Sequence, residues 1–303
     1  MVNSVKAPLN ATVLAPAKVN LRLRITGRRG DGYHLLESVM VPVSLFDRLS
    51  IRVLPAAGVE VGLTCNVPDL PVGDENLVVR AIKLFLRRTD RSVDVFVKLT
   101  KSVPVGAGLG GGSSDAAAAL LGLNRLLDAR VPEERLMAWA AELGADVPFF
   151  IYGRPARVSG AGEVVEDLGL CCPWSLVIAF PGEGLSTKAV YQAYDATLTK
   201  PSSASNLTAF ASAEVPVQEL LVNDLEAAAI RIYPPVGELK QQLLEMGALG
   251  ALMTGSGSAV FGVWERQKEA CAAAEAMQER GIWARAVEIL DRTPEIEYVT
   301  AHG

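Results

Sequence analysis

Pro104-Val105-Gly106-Ala107-Gly108-Leu109-Gly110-Gly111-Gly112-Ser113-Ser114-Asp115 runs directly into Ala116-Ala117-Ala118-Ala119-Leu120. Glycines let backbone N–H groups turn toward a polyanion with no side chain in the way, and a helix N-terminus behind them adds unpaired donors and the positive end of its dipole. The stretch therefore predicts a phosphate cradle formed by Pro104, Gly106, Gly108, Leu109, Gly110, Gly111 and Gly112. Ser113 and Ser114 are expected at cap positions, where their hydroxyls can reach a phosphate oxygen or a magnesium ion. The blander reading is a tight turn with no ligand, which so many glycines and paired serines make the lesser one.

Around the loop, Ser92 to Thr100 alternates with Val93, Val95, Val97 and Leu99 inward and reads as a strand. Ser113 to Asp128 reads as a helix, and Pro132 to Leu143 as another with proline in its first turn. Gly106-x-Gly108-x-x-Gly111 formally meets the dinucleotide fingerprint. That fold requires a second parallel strand and an acidic residue about 20 positions later, where this chain reads as helix after helix. A Walker loop is excluded because no lysine precedes Ser113.

Toward the N-terminus, Lys18 to Ile25 alternates strictly, with Val19, Leu21, Leu23 and Ile25 on one strand face and Lys18 and Asn20 on the other. A turn at Gly27 to Gly32 separates it from strands expected near Val39 to Val43 and Leu49 to Leu54. Asn76 to Arg88 has helical periodicity, with Asp74 as its expected cap. Toward the C-terminus, strands are expected at Leu176 to Phe180, on both sides of a loop within Leu249 to Trp264, and at Trp283 to Ile289. Helices are expected near Thr187 to Tyr194, Val236 to Met246 and Arg266 to Arg280. Strands mixed with helices, without strict alternation, predict α+β architecture in both of two lobes, residues 1–160 and 161–303. Glycines and Pro155 between Gly153 and Gly162 mark the break.

Of the 303 residues, 50% are hydrophobic and 21% charged, enough for a substantial core. The formal net charge of -5 excludes the electrostatic footprint of a nucleic-acid or anionic-membrane binder. No apolar run approaches the ~20 residues that span a bilayer, and no leader is evident, so a cytoplasmic location is expected. Cys65, Cys171, Cys172 and Cys271 lack C-x-x-C spacing and only His34 and His302 are present, so no metal ligands are assigned and the thiols are expected to be reduced and mostly buried. Nothing here signals an oligomeric state.

Three stretches together resemble the GHMP superfamily of small-molecule kinases: Ala15-Pro16-Ala17-Lys18-Val19-Asn20-Leu21, Pro104 to Ala119, and Leu252-Met253-Thr254-Gly255-Ser256-Gly257-Ser258-Ala259-Val260-Phe261-Gly262. Within it, Ile25-Thr26-Gly27-Arg28-Arg29-Gly30-Asp31-Gly32-Tyr33-His34, Gly144-Ala145-Asp146-Val147-Pro148-Phe149-Phe150, and Phe180-Pro181-Gly182 with Ser186-Thr187-Lys188-Ala189-Val190-Tyr191 are similar to the branch acting on a cytidylyl sugar-alcohol diphosphate in non-mevalonate isoprenoid synthesis. The resemblance covers nearly the whole chain in motif order. It implies an N-terminal ribosomal-protein-S5-like lobe, a C-terminal ferredoxin-like lobe and an active site between them. It also implies transfer of the γ-phosphoryl of ATP, with Mg2+, to a substrate hydroxyl.

By that resemblance Lys18 and Asp146 are the catalytic pair, with Asp146 taking the hydroxyl proton and Lys18 orienting it and stabilising the attacking oxygen. Without it, Asp146 reads equally well as a turn aspartate at a helix end, and Lys18 as a solvated strand lysine. Asn20, Thr187, Gly255 and Ser256 are implied substrate contacts, although 255–258 also reads as a plain hairpin turn. Tyr33, His34 and Tyr191 would hold the cytosine, Tyr191 standing where some relatives have phenylalanine. Asn76 and Leu77 would lie on the adenine side. A homoserine- or mevalonate-type kinase lacks a reason for the Gly32-Tyr33-His34 turn, and a catalytically silent nucleotide-binding regulator lacks one for retaining both Lys18 and Asp146.

Overall fold

The computed structural model describes residues 7–169, 173–196 and 216–293, with the backbone of 297–298. Cys171, Cys172 and His302 lie outside them. Element order is β1 (Leu9–Arg28), β2 (His34–Pro55), β3 (Val61–Cys65), α1 (Leu77–Thr89), β4 (Val93–Thr100), α2 (Gly111–Leu126), α3 (Glu133–Ala141), α4 (Val147–Tyr152), β5 (Ala156–Gly160), β6 (Val164–Asp167) and β7 (Ser175–Phe180). It continues with α5 (Thr187–Asp195), α6 (Val217–Leu220), β8 (Val222–Asn223), α7 (Glu226–Ile232), α8 (Pro235–Glu245), β9 (Gly250–Met253), β10 (Val260–Trp264), α9 (Gln267–Glu279), β11 (Trp283–Glu288) and β12 (Glu297–Tyr298).

The two strands expected at Val39 to Val43 and Leu49 to Leu54 are one, β2, paired antiparallel with a β1 of similar length. Register jumps where Pro16 faces Phe46 and Ala17 faces Val43. Such a bulge bends the ribbon and re-aims its polar groups. Beyond it Lys18 lies opposite Pro42, and the Lys18 N–H donates to Leu109 O at 3.0 Å instead. That bond lashes the glycine-rich loop to the middle of β1.

The first sheet runs β12-β1-β2-β4-β3, with β5 and β6 continuing from β2 and β8 beside β1. Residue 160, where the expected lobe boundary falls, is thus inside the β5–β6 hairpin of this sheet. A second antiparallel sheet, β11-β7-β10-β9, carries α8 and α9. The architecture is α+β, as expected, and the parallel array of a dinucleotide fold is absent among the described residues.

Three apolar clusters explain the patterning. Helices α1 to α4 cover one face of the first sheet, with Phe85, Leu120, Leu123 and Phe149 fully buried. Ala17, Val19 and Leu21 of β1 pack with Val39 and Val41 against Ile178, Phe261 and Val263 of the second sheet. Leu23 and Ile25 join the cluster beneath α5, α7, α8 and α9. The middle of β1 is therefore buried on both sides, which puts Lys18 and Asn20 out of water, each 3% exposed. Cys65 is half-buried and Cys271 exposed, so the burial expected of the thiols does not hold at Cys271. No described helix is long and apolar enough to cross a membrane.

Candidate active site

Helix α2 begins two residues earlier than its composition predicts. Gly110, in the left-handed region at φ 72°, is the N-cap, and Gly111 and Gly112 are already helical. The serines are therefore not caps but the next two residues of the first turn. Ser113 is half-buried, whereas Ser114 is buried with its Oγ unpartnered. Asn76 rather than Asp74 caps α1: its Oδ1 accepts from Val78 N at 2.9 Å and its Nδ2 donates to Pro71 O at 2.7 Å. Asp74 instead ion-pairs with Lys83.

Three loops meet over the bulged part of β1. Ala259 N donates to Ala107 O at 3.1 Å and Leu185 N to Gly106 O at 3.2 Å, so the 106–112 loop is tied to the β9–β10 loop and to the segment before α5. The approach is backbone to backbone. A Cβ on Gly108 would lie 2.3 Å from Thr254 O, and one on Gly255 would lie 2.8 Å from Gly108 O and 3.1 Å from Lys18 Nζ. Asn223 of β8 holds the second loop, donating from Nδ2 to Met253 O and Gly255 O, both at 2.8 Å. The 255–258 stretch is thus more than a hairpin turn: Ser256 Oγ within it bonds Thr187 Oγ1 at the start of α5 at 2.9 Å.

Two cavities flank this junction. The larger, about 800 Å³, is bordered by Lys18, Asn20, Tyr33, His34, Asp146, Thr187, Tyr191, Gly255 and Ser256, which brings every expected catalytic and substrate residue to one space. The smaller, about 330 Å³, is bordered by Asn76, Leu77, Pro104, Leu109, Gly111, Gly112 and Ser113. Gly106, Gly108 and Gly110 border both. Ser114 borders neither. A polyanion lying along the glycines would therefore reach from the small cavity into the large one.

Lys18 Nζ donates to Asn20 Oδ1 at 2.5 Å. Asn20 is itself fixed on two sides, by Nδ2 donating to Ser38 Oγ at 2.7 Å and by its N–H donating to Thr254 Oγ1 at 3.0 Å. Burial lowers the Lys18 ammonium from its ordinary value, and the charge of Asp146 acts in the opposite direction. The two couple through space without a direct ion pair, since the ammonium bonds Asn20. Asp146 is the residue before α4, and its side chain makes no capping bond. Burial, aided by the charge of Asp146, pushes the Tyr191 phenol up to about 12, so the ring stays neutral.

Sequence reading missed the supports of this site. Asp47 Oδ1 accepts from the N–H groups of Ser102 (2.6 Å) and Val103 (2.9 Å). Lys101 bridges the Asp47 carboxylate to Asp115 of α2, the latter at 2.7 Å. The triad pins both ends of the glycine-rich loop, and only Lys101 and Asp115 lie near it in sequence. Thr254 belongs to the third motif, which assigns it no role, yet its Oγ1 accepts from Asn20 N. Thr254→Val keeps the volume and leaves the Asn20 N–H buried without an acceptor, which costs about 1–3 kcal/mol. We expect kcat to fall about tenfold, with KM moving less, as the Asn20–Lys18 pair loses its anchor; unchanged kinetics would show that Thr254 does not position them.

Asp115 yields a pH prediction. Burial raises its carboxyl to about 7 against the opposing Lys101 ammonium, while for Lys101 burial pulls down but the flanking Asp115 and Asp47 carboxylates together outweigh it and raise the ammonium. An acid whose folded value lies above its unfolded value, here 3.8, contributes stability at low pH and loses it as pH rises through the folded value. Asp115→Asn, which cannot ionise, should therefore be more favourable relative to wild type at about pH 8 than at about pH 5, by about 1–3 kcal/mol. Calorimetric melting at the two pH values checks the sign.

Comparison with known proteins identifies the family. The model of the GHMP kinases N terminal domain matches residues 76–154, and that of the GHMP kinases C terminal domain matches 206–282. A protein of Citrifermentans bemidjiense named 4-diphosphocytidyl-2-C-methyl-D-erythritol kinase is 44% identical over 276 residues, 91% of this chain and 97% of that one. The chain belongs to the GHMP kinase family. A relative of the same name from Syntrophotalea carbinolica is 44% identical to this GHMP kinase, over 89% of this chain and 95% of that one. The crystal structure of a 4-(cytidine 5'-diphospho)-2C-methyl-D-erythritol kinase, 40% identical, superposes with a TM-score of 0.76 over 91% of this GHMP kinase and 98% of that chain. A homoserine kinase from Cytophaga hutchinsonii, 20% identical with a TM-score of 0.72 and 99% coverage of each chain, shares the fold alone.

Proposed function

We propose that this GHMP kinase transfers the γ-phosphoryl of ATP to the 2-hydroxyl of 4-diphosphocytidyl-2-C-methyl-D-erythritol, in the cytoplasm, as a step in isoprenoid precursor synthesis. The observation carrying the reading is that one cavity joins an aromatic base-sized wall, Tyr33, His34 and Tyr191, to Lys18, Asn20 and Asp146 beside the glycine-rich loop. Relatives at 40–44% identity bearing that name support the choice of acceptor.

The nucleotide lies with its base toward Asn76 and Leu77 and its phosphates along the glycines, where loop N–H groups and the α2 N-terminus face the charge. Ser113 suits the hydroxyl contact expected of the loop. Ser114, buried in the first turn, suits it less. No cluster of three or more acidic, histidine or cysteine side chains able to hold a metal occurs among the described residues. Mg2+ would arrive with the phosphates, keep water ligands and neutralise phosphate charge, and Ser113 would be the hydroxyl to hold it.

Phosphoryl transfer then asks for position, charge stabilisation and a proton acceptor. Asn20 holds the acceptor hydroxyl beside Lys18, and Asp146 takes its proton as the oxygen forms its bond to the γ-phosphorus and ADP leaves. The Lys18 ammonium, desolvated between β1 and the loops, faces the negative charge that develops on that oxygen. Its attraction is stronger there than in water because little solvent screens it.

ADP release is measured with ATP, Mg2+ and one acceptor at a time: the cytidylyl substrate, mevalonate or homoserine. Turnover with the cytidylyl substrate alone supports the proposal. Turnover with one of the other two replaces it with that specificity, and ATP binding without any turnover favours a silent regulator.

A further inference from the structure

The wall of the large cavity formed by α5 and the β1–β2 turn contains a pair that the proposed transfer does not use. Asp195, the last residue of α5, places Oδ1 2.7 Å from His34 Nε2 and Oδ2 3.4 Å from Arg28 Nη1. The His34 ring lies 4.8 Å from that of Tyr191, tilted by 34°, and edge-on to Tyr194 at 6.1 Å. Its side chain is 12% exposed, and the residue borders the cavity together with Tyr33, Tyr191 and Asp195. Among the described residues no hydrogen bond engages Nδ1.

We propose that Asp195 is a positioning residue that fixes the tautomer of His34 and so makes this wall select a cytosine over a uracil. The inference rests on the reading that the cavity receives a cytidylyl substrate. A carboxylate only accepts hydrogen bonds, so the proton of a neutral imidazole facing Asp195 resides on Nε2. Nδ1 is then left as a bare acceptor. Position 4 of cytosine carries an amino group, which donates, whereas the same position of uracil carries an oxygen, which accepts. An Nδ1 lone pair satisfies the first and repels the second. Arg28 on the far carboxylate oxygen keeps Asp195 turned toward His34, and the Tyr191 and Tyr194 rings keep the imidazole from rotating. A site built to bond one hydrogen-bonding group discriminates strongly against an analogue that leaves its polar atoms unpaired.

The chain has two histidines, so His302→Gln leaves His34 as the only imidazole for 15N NMR of histidine-labelled protein. At about pH 8.5 the expected spectrum has a protonated Nε2 and an unprotonated Nδ1. Asp195→Ala should convert it to a tautomer mixture. In steady-state assays the ratio of kcat/KM for the cytidylyl substrate to that for its uridylyl counterpart should fall about tenfold in Asp195→Ala, through KM, with kcat at saturation within about twofold. Asp195→Asn provides a second variant that keeps the side-chain volume, and it too should narrow the ratio. Loss of activity toward both nucleotides in equal proportion, an unchanged ratio, or an Nδ1-protonated tautomer in wild type would each overturn the proposal. Absence of wild-type turnover with the cytidylyl substrate overturns the underlying functional reading instead, and is recognised separately because the tautomer is read without substrate.

Discussion

Asp146→Asn is expected to lower kcat by about 10²- to 10⁴-fold, the range that a positioned general base contributes, while KM for both substrates stays within about threefold. The substitution keeps shape and removes the ability to hold a proton. It should leave stability nearly untouched, because the carboxylate makes no capping bond to α4 and no ion pair with Lys18, whose ammonium bonds Asn20 instead. Unchanged melting together with the lost kcat separates a proton acceptor from a structural turn residue, the blander role that a helix-end aspartate has on sequence grounds. If kcat survives, the hydroxyl proton leaves by another route and Lys18 alone carries the charge stabilisation. If melting falls with kcat, Asp146 matters through the α3–α4 turn, which Gly162 supports by leaving room for Ala145: a Cβ there would come within 2.9 Å of the alanine Cβ.

Gly108→Ala should be the most damaging small substitution in the molecule. Gly108 has φ 77°, in the left-handed region that costs an L-residue about 1–2 kcal/mol. The added methyl would also meet Thr254 O at 2.3 Å and Gly257 N at 3.0 Å. Both obstacles are backbone, so neither swings aside, and overpacking of that kind adds about 1–3 kcal/mol or more. A total of about 2–5 kcal/mol lowers Tm by roughly 5–15 °C in a protein of this size. Because the same contact docks the glycine-rich loop against the β9–β10 loop, kcat/KM for ATP should fall more than tenfold even where the protein remains folded. Gly112→Ala is the control from the same loop. Its Cβ would meet only Leu77 Cδ1 at 3.9 Å, on a helical backbone, so its Tm should hold or rise slightly. Equal damage from both substitutions would mean that the loop tolerates no side chain at all and that the close approach of the two backbones is not the cause.

Much of the site was legible because its chemistry is local. The glycine run, the Lys18–Asn20 alternation and the aromatic pair after Gly32 are each decided by a few adjacent residues, and strand periodicity alone places Lys18 and Asn20 on one face. Element types were legible for the same reason. Where boundaries differ, nonlocal forces explain it. Two expected strands fused into β2 because β1 offers a continuous partner across a bulge. Helix α2 starts at Gly111, a poor helix residue, because Gly110 can take the left-handed turn and the loop is already held by Leu109 O and Ala107 O. Asn76 displaced Asp74 as the cap of α1 because its side chain reaches both Val78 N and Pro71 O.

By itself the amino-acid order determined that this is an α+β protein with a glycine-rich loop running into a helix, a lysine and an amide on one strand face, and a motif order that resembles small-molecule kinases. It did so because helix and strand period, turn chemistry and glycine's conformational range act over a few residues. Tertiary structure alone decided that Lys18 is buried, that Asp146 couples to it through space, that Asp47 in β2 and Lys101 just after β4 brace the loop, that Thr254 anchors Asn20 from 234 positions away, and that Asp195 faces His34 across 161. Burial, desolvation and hydrogen-bond partnership depend on which distant segments the apolar clusters bring together, and nothing in the spacing along the chain encodes those distances.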